Sequence, residues 1–253
     1  MELEKIFFKN DLLVYVFPEG IPRNSLVVIA GKGGTAKSIV VCEIVKDVLS
    51  MGEPVIYVSV DDDPATVASQ LESFGVDVKE STAKGLLAII DSFSYLIKGK
   101  KGRAHESVVE EVDSRNVDVL LSAIMRNIEA RELAGRGMVV VDSINEIMMS
   151  LDPVKFVEFV KSLRANIAKQ RKVLTIVTIH TTMKEFKEYL YSIDFMVDGL
   201  IETKNVQSAL ANQIPFPVRQ LSVKKMKGVY HRTGWTIFAI DKTGVKPVVV
   251  KYK

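Results

Sequence analysis

Residues 26–38 read LVVIAGKGGTAKS: an apolar run, a glycine-rich turn, then a lysine and a serine at the head of a helical pattern. Strand, glycine-rich turn and helix in immediate succession form the junction of a parallel βαβ unit. That junction confines the chain to α/β architectures built on a mostly parallel sheet. In such a turn the backbone N–H groups point inward and the positive end of the helix faces the same way, so the turn can cradle phosphate groups.

The stretch fits G-x-x-x-x-G-K-S/T from Gly31 to Lys37 and Ser38, except that Ala36 stands where the second glycine belongs. Lys37 is placed to reach β- and γ-phosphates and Ser38 to set its hydroxyl on Mg2+. Lys32, Gly33, Gly34 and Thr35 complete the cradle. A turn that only joined strand to helix would have no use for Lys37 and Ser38 side by side. Ala36 adds one methyl group: negative φ there costs little, positive φ about 1–2 kcal/mol.

The sequence continues in the same rhythm. Ile39 to Leu49 predicts the loop helix, stopped near Gly52, and 54–60 (PVIYVSV) the next buried strand. Asp63-Pro64 supplies an N-cap and a first-turn proline for a helix with Val67, Leu71 and Phe74 on one face. Gly85 to Ile90 predicts a third strand, and Val117 to Ile128 a helix. Met138 to Val141 is a strand leading to Asp142, Asp152-Pro153 starts another capped helix, and Val173 to Ile179 is a further strand. From Val218 the pattern alternates, with turns at Lys227-Gly228 and Lys242-Thr243-Gly244, which predicts an antiparallel extension over 218–253. The basic run Ile97 to Arg103 reads as a surface loop.

Two sets of carboxylates fall where such a site needs them. Asp142 ends an apolar strand, the position of a Mg2+-organising acid, although a strand-end Asp can also cap a turn. Asp61, Asp62 and Asp63 end the strand after the loop helix, and in open parallel sheets ligands bind beyond the carboxyl ends of the strands. Neighbouring carboxylates raise one another's pKa, which suits a general base for the attacking water. An acidic, solvated turn would have the same letters. Asp63 is assigned to the cap, leaving Asp61 and Asp62. His180 also ends a strand on this edge and could sense the γ-phosphate. Cys42 lies among apolar residues of the loop helix and reads as core.

The bulk numbers fit this picture. With 253 residues, 47% hydrophobic and 26% charged, the chain suits one α/β domain spanning 1–253. Thirty-four basic residues against 31 acidic give a net charge of +3, too small to pull the chain toward nucleic acid or anionic membrane. Cys42 has no partner for a disulfide, no signal-peptide pattern opens the chain, and the apolar runs end well short of the ~20 residues that span a bilayer. The expected location is the cytoplasm, with no membrane contact.

EGIPRNSLVVIAGKGGTAKS resembles the opening of the KaiC-like branch of RecA-type ATPases, which typically reads G-G-I-P-x-G-S before the strand and loop. VIYVSVDDDPATVASQLESFGVDV, KGLLAIIDSFS, GMVVVDSINEI, DFMVDGLIE and VKKMKGVYHRTGWTIFAIDKTGV are similar to its later segments, the last to a K-x-R/K-G-x-x-H signature. The likeness runs through nearly the whole chain from Pro18. It implies a RecA-like three-layer fold with a mostly parallel sheet and a C-terminal antiparallel extension, with ATP and Mg2+ as cofactors. It also implies a homo-oligomer, often a hexameric ring, with ATP bound between neighbouring subunits. By position, Asp61 and Asp62 match the family's paired catalytic glutamates. Lys225 and Lys227 match the basic pair that reaches the γ-phosphate of the adjacent subunit, and His231 matches the histidine that follows.

Three departures stand out: Asp for Glu at both acidic positions, Ala36 for glycine, and MELEKIFFKNDLLVYVF (within 1–20) where the family reads T-G-x-x-x-L-D. GKGGTAKS is also similar to the deviant loop of ParA, MinD and arsenite-pump ATPases, K-G-G-x-x-K-S/T, in which Lys32 would reach across a dimer. That group lacks the G-I-P-x-x-S lead-in, and its second acidic motif ends D-x-x-x-G where this chain has DSINE. The resulting expectation is a slow Mg2+-dependent ATPase whose nucleotide state controls assembly or partner binding. The alternatives are a DNA-binding module using Lys98, Lys100, Lys101 and Arg103, and a nucleotide-binding scaffold without hydrolysis.

Overall fold

The computed structural model describes residues 4–97, 105–206, 217–241 and 244–248. In chain order the elements begin β1 (Lys5–Ile6), α1 (Asp11–Val16), β2 (Ile21–Pro22), β3 (Leu26–Gly31), α2 (Lys37–Ser50) and β4 (Val55–Ser59). Then come α3 (Pro64–Ser73), α4 (Val78–Ala83), β5 (Leu87–Asp91), β6 (Val108–Glu111), α5 (Val117–Ala130) and β7 (Met138–Asp142). The chain continues with α6 (Asn145–Ser150), α7 (Pro153–Leu163), β8 (Leu174–His180), α8 (Lys184–Asp194) and β9 (Gly199–Asn205). It closes with β10 (Val218–Met226), β11 (Thr236–Asp241) and β12 (Gly244–Pro247).

Ten strands form one sheet in the order β12-β11-β10-β9-β3-β8-β7-β4-β5-β6. From β9 to β6 all neighbours run parallel. The strands β10 to β12 continue the sheet antiparallel. The central strands are apolar on both faces because both are covered, as parallel crossovers require. Val27 and Ile29 pack with α2 in one buried cluster. Leu26, Val28 and Ala30 pack with α5, α7 and α8 in the other. This is the three-layer α/β fold with an antiparallel extension that the sequence predicts.

Asp63 and Asp152 cap α3 and α7 as expected, each accepting two backbone N–H bonds. Other details differ. Gly85 is outside the third strand: its φ of +70° turns the chain after α4, and pairing starts at Leu87. The edge strand β6, half-buried and exposed in alternation, has no apolar run to announce it. The basic run Lys98, Lys100, Lys101 and Arg103 lies outside the described residues, as does part of the turn at Lys242-Thr243.

The N-terminal segment is built into the fold. β1 pairs with β2, and Asn10 caps α1 through its side-chain oxygen. The Asn10 amide donates to Glu43 (2.9 Å), and the Lys9 and Asn10 backbone N–H groups donate to Asp47 (2.8 and 2.9 Å). Both carboxylates belong to α2 and are buried. The segment is therefore fastened to the back of the loop helix.

Candidate functional site

Adjacent strands β3, β8, β7 and β4 bring the glycine-rich loop, His180, Asp142 and Asp61-Asp62 to one edge of the sheet, at their carboxyl ends. This order joins residues that are far apart in sequence.

The loop leaves β3 at Gly31, where a Cβ would lie 2.4 Å from the Thr203 hydroxyl and 2.6 Å from that of Thr35, so no side chain fits. At Gly33 and Gly34 an added Cβ would meet nothing within 4 Å, which leaves room for a ligand over the loop. The Thr35 hydroxyl donates to the Lys32 carbonyl (2.8 Å), the Gly33 N–H to Thr182 (3.3 Å), and Arg219 to the Gly34 carbonyl (2.9 Å). The first bond closes the loop on itself, and the other two tie it to the turn after β8 and to β10. Ala36 precedes α2 with φ 71° and ψ 28°, so the positive-φ alternative holds and the alanine is strained. The amides of the first turn of α2, including Lys37 and Ser38, have no intrahelical acceptors and face the loop's concave side.

Lys37 is buried, and its ammonium donates to the Lys32 carbonyl (3.0 Å) and to His180 Nδ1 (3.1 Å). Because Nδ1 accepts there, the imidazole proton sits on Nε2, which lies 3.1 Å from Asp61 Oδ2. His180 is held in turn by Asn145, which accepts from its N–H (2.7 Å) and donates to its carbonyl (3.0 Å). Burial lowers the Lys37 pKa, opposed by Asp142 and Asp61.

The acidic pair divides. Burial pushes the Asp61 carboxyl up, but hydrogen bonds from His180 and Ser143 outweigh it and hold the group below its ordinary value. Asp62 is pushed above its ordinary value, first by burial and then by Asp142, Asp61 and Asp63. Asp63 is occupied by the cap, with Thr66 donating to it. Asp142 is oriented by two hydroxyls, Tyr57 on Oδ2 (2.6 Å) and Thr178 on Oδ1. Sequence reasoning missed these two residues and Asn145. The available signals were a tyrosine in the β4 core, level with Val140, and a threonine in β8 one step beyond the Val141–Val177 pair, next to Asp142. Cys42 is buried, and its thiol is pushed up to about 12 by burial first, consistent with a packing role.

Lys225 and Lys227 are not beside the loop of their own chain. Met226 is level with Gly199, which is level with Val27 at the start of β3, whereas the loop begins at its end. That separation is about 13 Å along the strand. There Lys225 pairs with Asp194 (2.9 Å), Lys227 approaches the Met196 carbonyl (3.4 Å), and His231 Nδ1 is 3.2 Å from the Val229 carbonyl.

A glycine-rich loop between β3 and α2, followed by acidic strand ends on a RecA-type sheet, defines a P-loop ATPase fold. A family model described as "ATPase: KaiC" matches residues 2–251, and the chain belongs to that family. A UPF0273 protein of Aeropyrum pernix is 28% identical over 233 residues, 89% of this chain and 86% of that one. A UPF0273 protein of Pyrococcus horikoshii is 33% identical over 132 residues, 52% of this chain, and the match spans about half (51%) of that relative's length. The crystal structure of a KaiC-like protein from P. horikoshii superposes with a TM-score of 0.73 at 20% identity, covering 98% of this chain and 100% of that one. That likeness concerns the fold. No helix among the described residues is long and apolar enough to cross a membrane.

Proposed function

We propose that this chain binds ATP with Mg2+, hydrolyses it slowly, and uses nucleotide state to control its assembly or its contacts with a partner. The observation that carries the proposal is the convergence of Lys37, His180, Asp142 and the Asp61-Asp62 pair on the edge where the loop ends. The open space over Gly33 and Gly34 fits a phosphate chain, and the hydroxyl and carboxylate of Ser38 and Asp142 are the hard oxygen donors that Mg2+ prefers. Bound Mg2+ would neutralise charge on the β- and γ-phosphate oxygens.

The chain's own residues then have separate tasks. Lys37 exchanges the Lys32 carbonyl for phosphate oxygens, and the loop amides wrap the same group. Asp61, kept ionised by His180, orients the attacking water. Asp62, with the higher proton affinity, accepts the water's proton as its oxygen bonds to the γ-phosphorus and the bond to ADP breaks. Lys225 and Lys227 face away from this loop and would serve the site of a neighbouring copy.

A nucleotide-binding scaffold without hydrolysis is the second reading, favoured by the left-handed backbone of Ala36 next to Lys37. An ATP titration with and without Mg2+, followed by phosphate release on the same sample, separates the two, with Lys37→Ala as control. Binding with release, both lost in the control, supports the ATPase. Binding without release supports the scaffold. Absence of binding removes both.

A further inference from the structure

Beside the glycine-rich loop, on the sheet face that carries α8, lies a cavity of about 520 Å3. The loop contributes Lys32, α8 contributes Lys187 and Tyr191, β9 contributes Lys204 and Asn205, and Trp235 closes one side. Gly31, Lys32 and Thr35 make it adjoin the phosphate cradle, but Lys187, Tyr191, Lys204 and Trp235 have no part in the ATPase mechanism.

Its chemistry is specific. Lys32, Lys187 and Lys204 bring three ammonium groups to one cavity, and none of them is paired with a carboxylate among the described residues. The lining carboxylate, Glu202, is already 3.5 Å from Lys224. Two aromatic rings stand at the rim, Tyr191 with 72% and Trp235 with 37% of its surface exposed. Two ammonium groups lie over the ring of Trp235, Lys204 at 3.7 Å and Lys224 at 4.5 Å from its centre. Aromatic rings beside cations that lack a carboxylate partner are the recognition elements for a stacked base and its phosphate. A bare phosphate would leave the rings unused, and a neutral aromatic ligand would leave the cations unused. The Asn205 carboxamide offers one donor and one acceptor group to a base edge.

We propose that this cavity binds one nucleotide unit, its base stacked on Trp235 and its phosphate held by Lys32, Lys187 and Lys204. Base stacking on an exposed indole is stronger than an exposed cation–π contact, so the base displaces Lys204 from the ring and frees it for the phosphate. The unit is either a free mononucleotide or one residue of a single strand. The proposal stands independently of turnover at the loop.

Trp235 is the chain's only tryptophan, so its emission reports on this cavity alone. The full chain is titrated with uridine 5′-monophosphate, a short oligothymidylate and inorganic phosphate. Saturable quenching by the mononucleotide, absent with phosphate and weakened about tenfold in Lys187→Ala or Lys204→Ala, is expected. An oligothymidylate affinity about tenfold or more above that of the mononucleotide identifies a strand as the source, and equal affinity a free nucleotide. Lys37→Ala should leave the titration unchanged. Loss in that variant would mean that the nucleotide had been read at the loop and would overturn the proposal. So would equal quenching by phosphate, or no quenching by either nucleotide ligand.

Discussion

His180 stands between Lys37 and Asp61, with Nδ1 3.1 Å from the ammonium and Nε2 3.1 Å from the carboxylate. The imidazole thus couples the residue that would grip phosphate to one that would orient water. Its removal leaves Lys37 on the Lys32 carbonyl and strips Asp61 of its main donor. His180→Ala should lower kcat about 100-fold, the scale of a lost proton-handling partner. ATP affinity should weaken by less than about tenfold, because the loop amides remain. Equal losses in binding and turnover would reduce His180 to a structural prop.

The opposed shifts of Asp61 and Asp62 make a paired prediction for stability. A lowered folded pKa contributes stability above the unfolded value of about 3.9 and loses it as pH falls through the folded value. Asp61→Asn should therefore be less stable than the parent at neutral pH, the gap closing in acid. Asp62 has a raised folded pKa, so its ionised form opposes folding at neutral pH. Asp62→Asn should gain stability there while losing turnover. The parent's kcat/KM should rise with pH through a limb above the ordinary carboxylate range. Melting curves across pH and a pH–rate profile test both, and a stability loss in Asp62→Asn at neutral pH would contradict the assignment.

Much of this was legible in the sequence because it is local. The apolar run ending at Gly31, the Asp63-Pro64 and Asp152-Pro153 caps, and Asp142 at the end of an apolar strand each declare themselves within a few residues. What stayed hidden depends on the order of the strands. Tyr57 and Thr178 meet at Asp142 only because β4 and β8 flank β7. His180 reaches Lys37 and Asp61 for the same kind of reason. The N-terminal helix was obscured because Asn10 bonds to carboxylates more than 30 residues away, on α2. After α7 the helical pattern continues through Ile167, but the backbone widens to a π-helical turn over Arg164–Lys169. There Arg164 and Lys169 both bind the buried Asp198 (2.9 and 3.0 Å), a demand that side-chain periodicity does not express.

Ala36 carries a left-handed backbone at the entrance to α2. Glycine would relieve about 1–2 kcal/mol of strain and give back about 0.4–1 kcal/mol of unfolded-state entropy. The Ala36 methyl also packs against the buried cluster on the α2 side, which trims the gain. Ala36→Gly should stabilise the chain by about 0.5–1 kcal/mol, raising Tm by about 1–4 °C for a domain of this size. ATP affinity should hold or improve. A loss of stability by denaturant titration would show that the methyl's packing outweighs the strain.

Lys225 and Lys227 sit at the opposite end of β3 from their own loop, so a role at the phosphates requires a second copy. Lys227→Ala and Lys37→Ala should each be inactive alone. Mixed after dissociation and reassembly, each interface pairs one loop with one neighbouring Lys227. A head-to-tail assembly should then recover activity at about a quarter of its sites by random pairing. The recovered rate should fall on dilution as copies separate. Phosphate release by the mixture, compared with either variant alone, is the readout. Absence of recovery in a mixture shown by sizing to be reassembled would confine the active site to one chain and leave Lys227 at the far edge without a catalytic part.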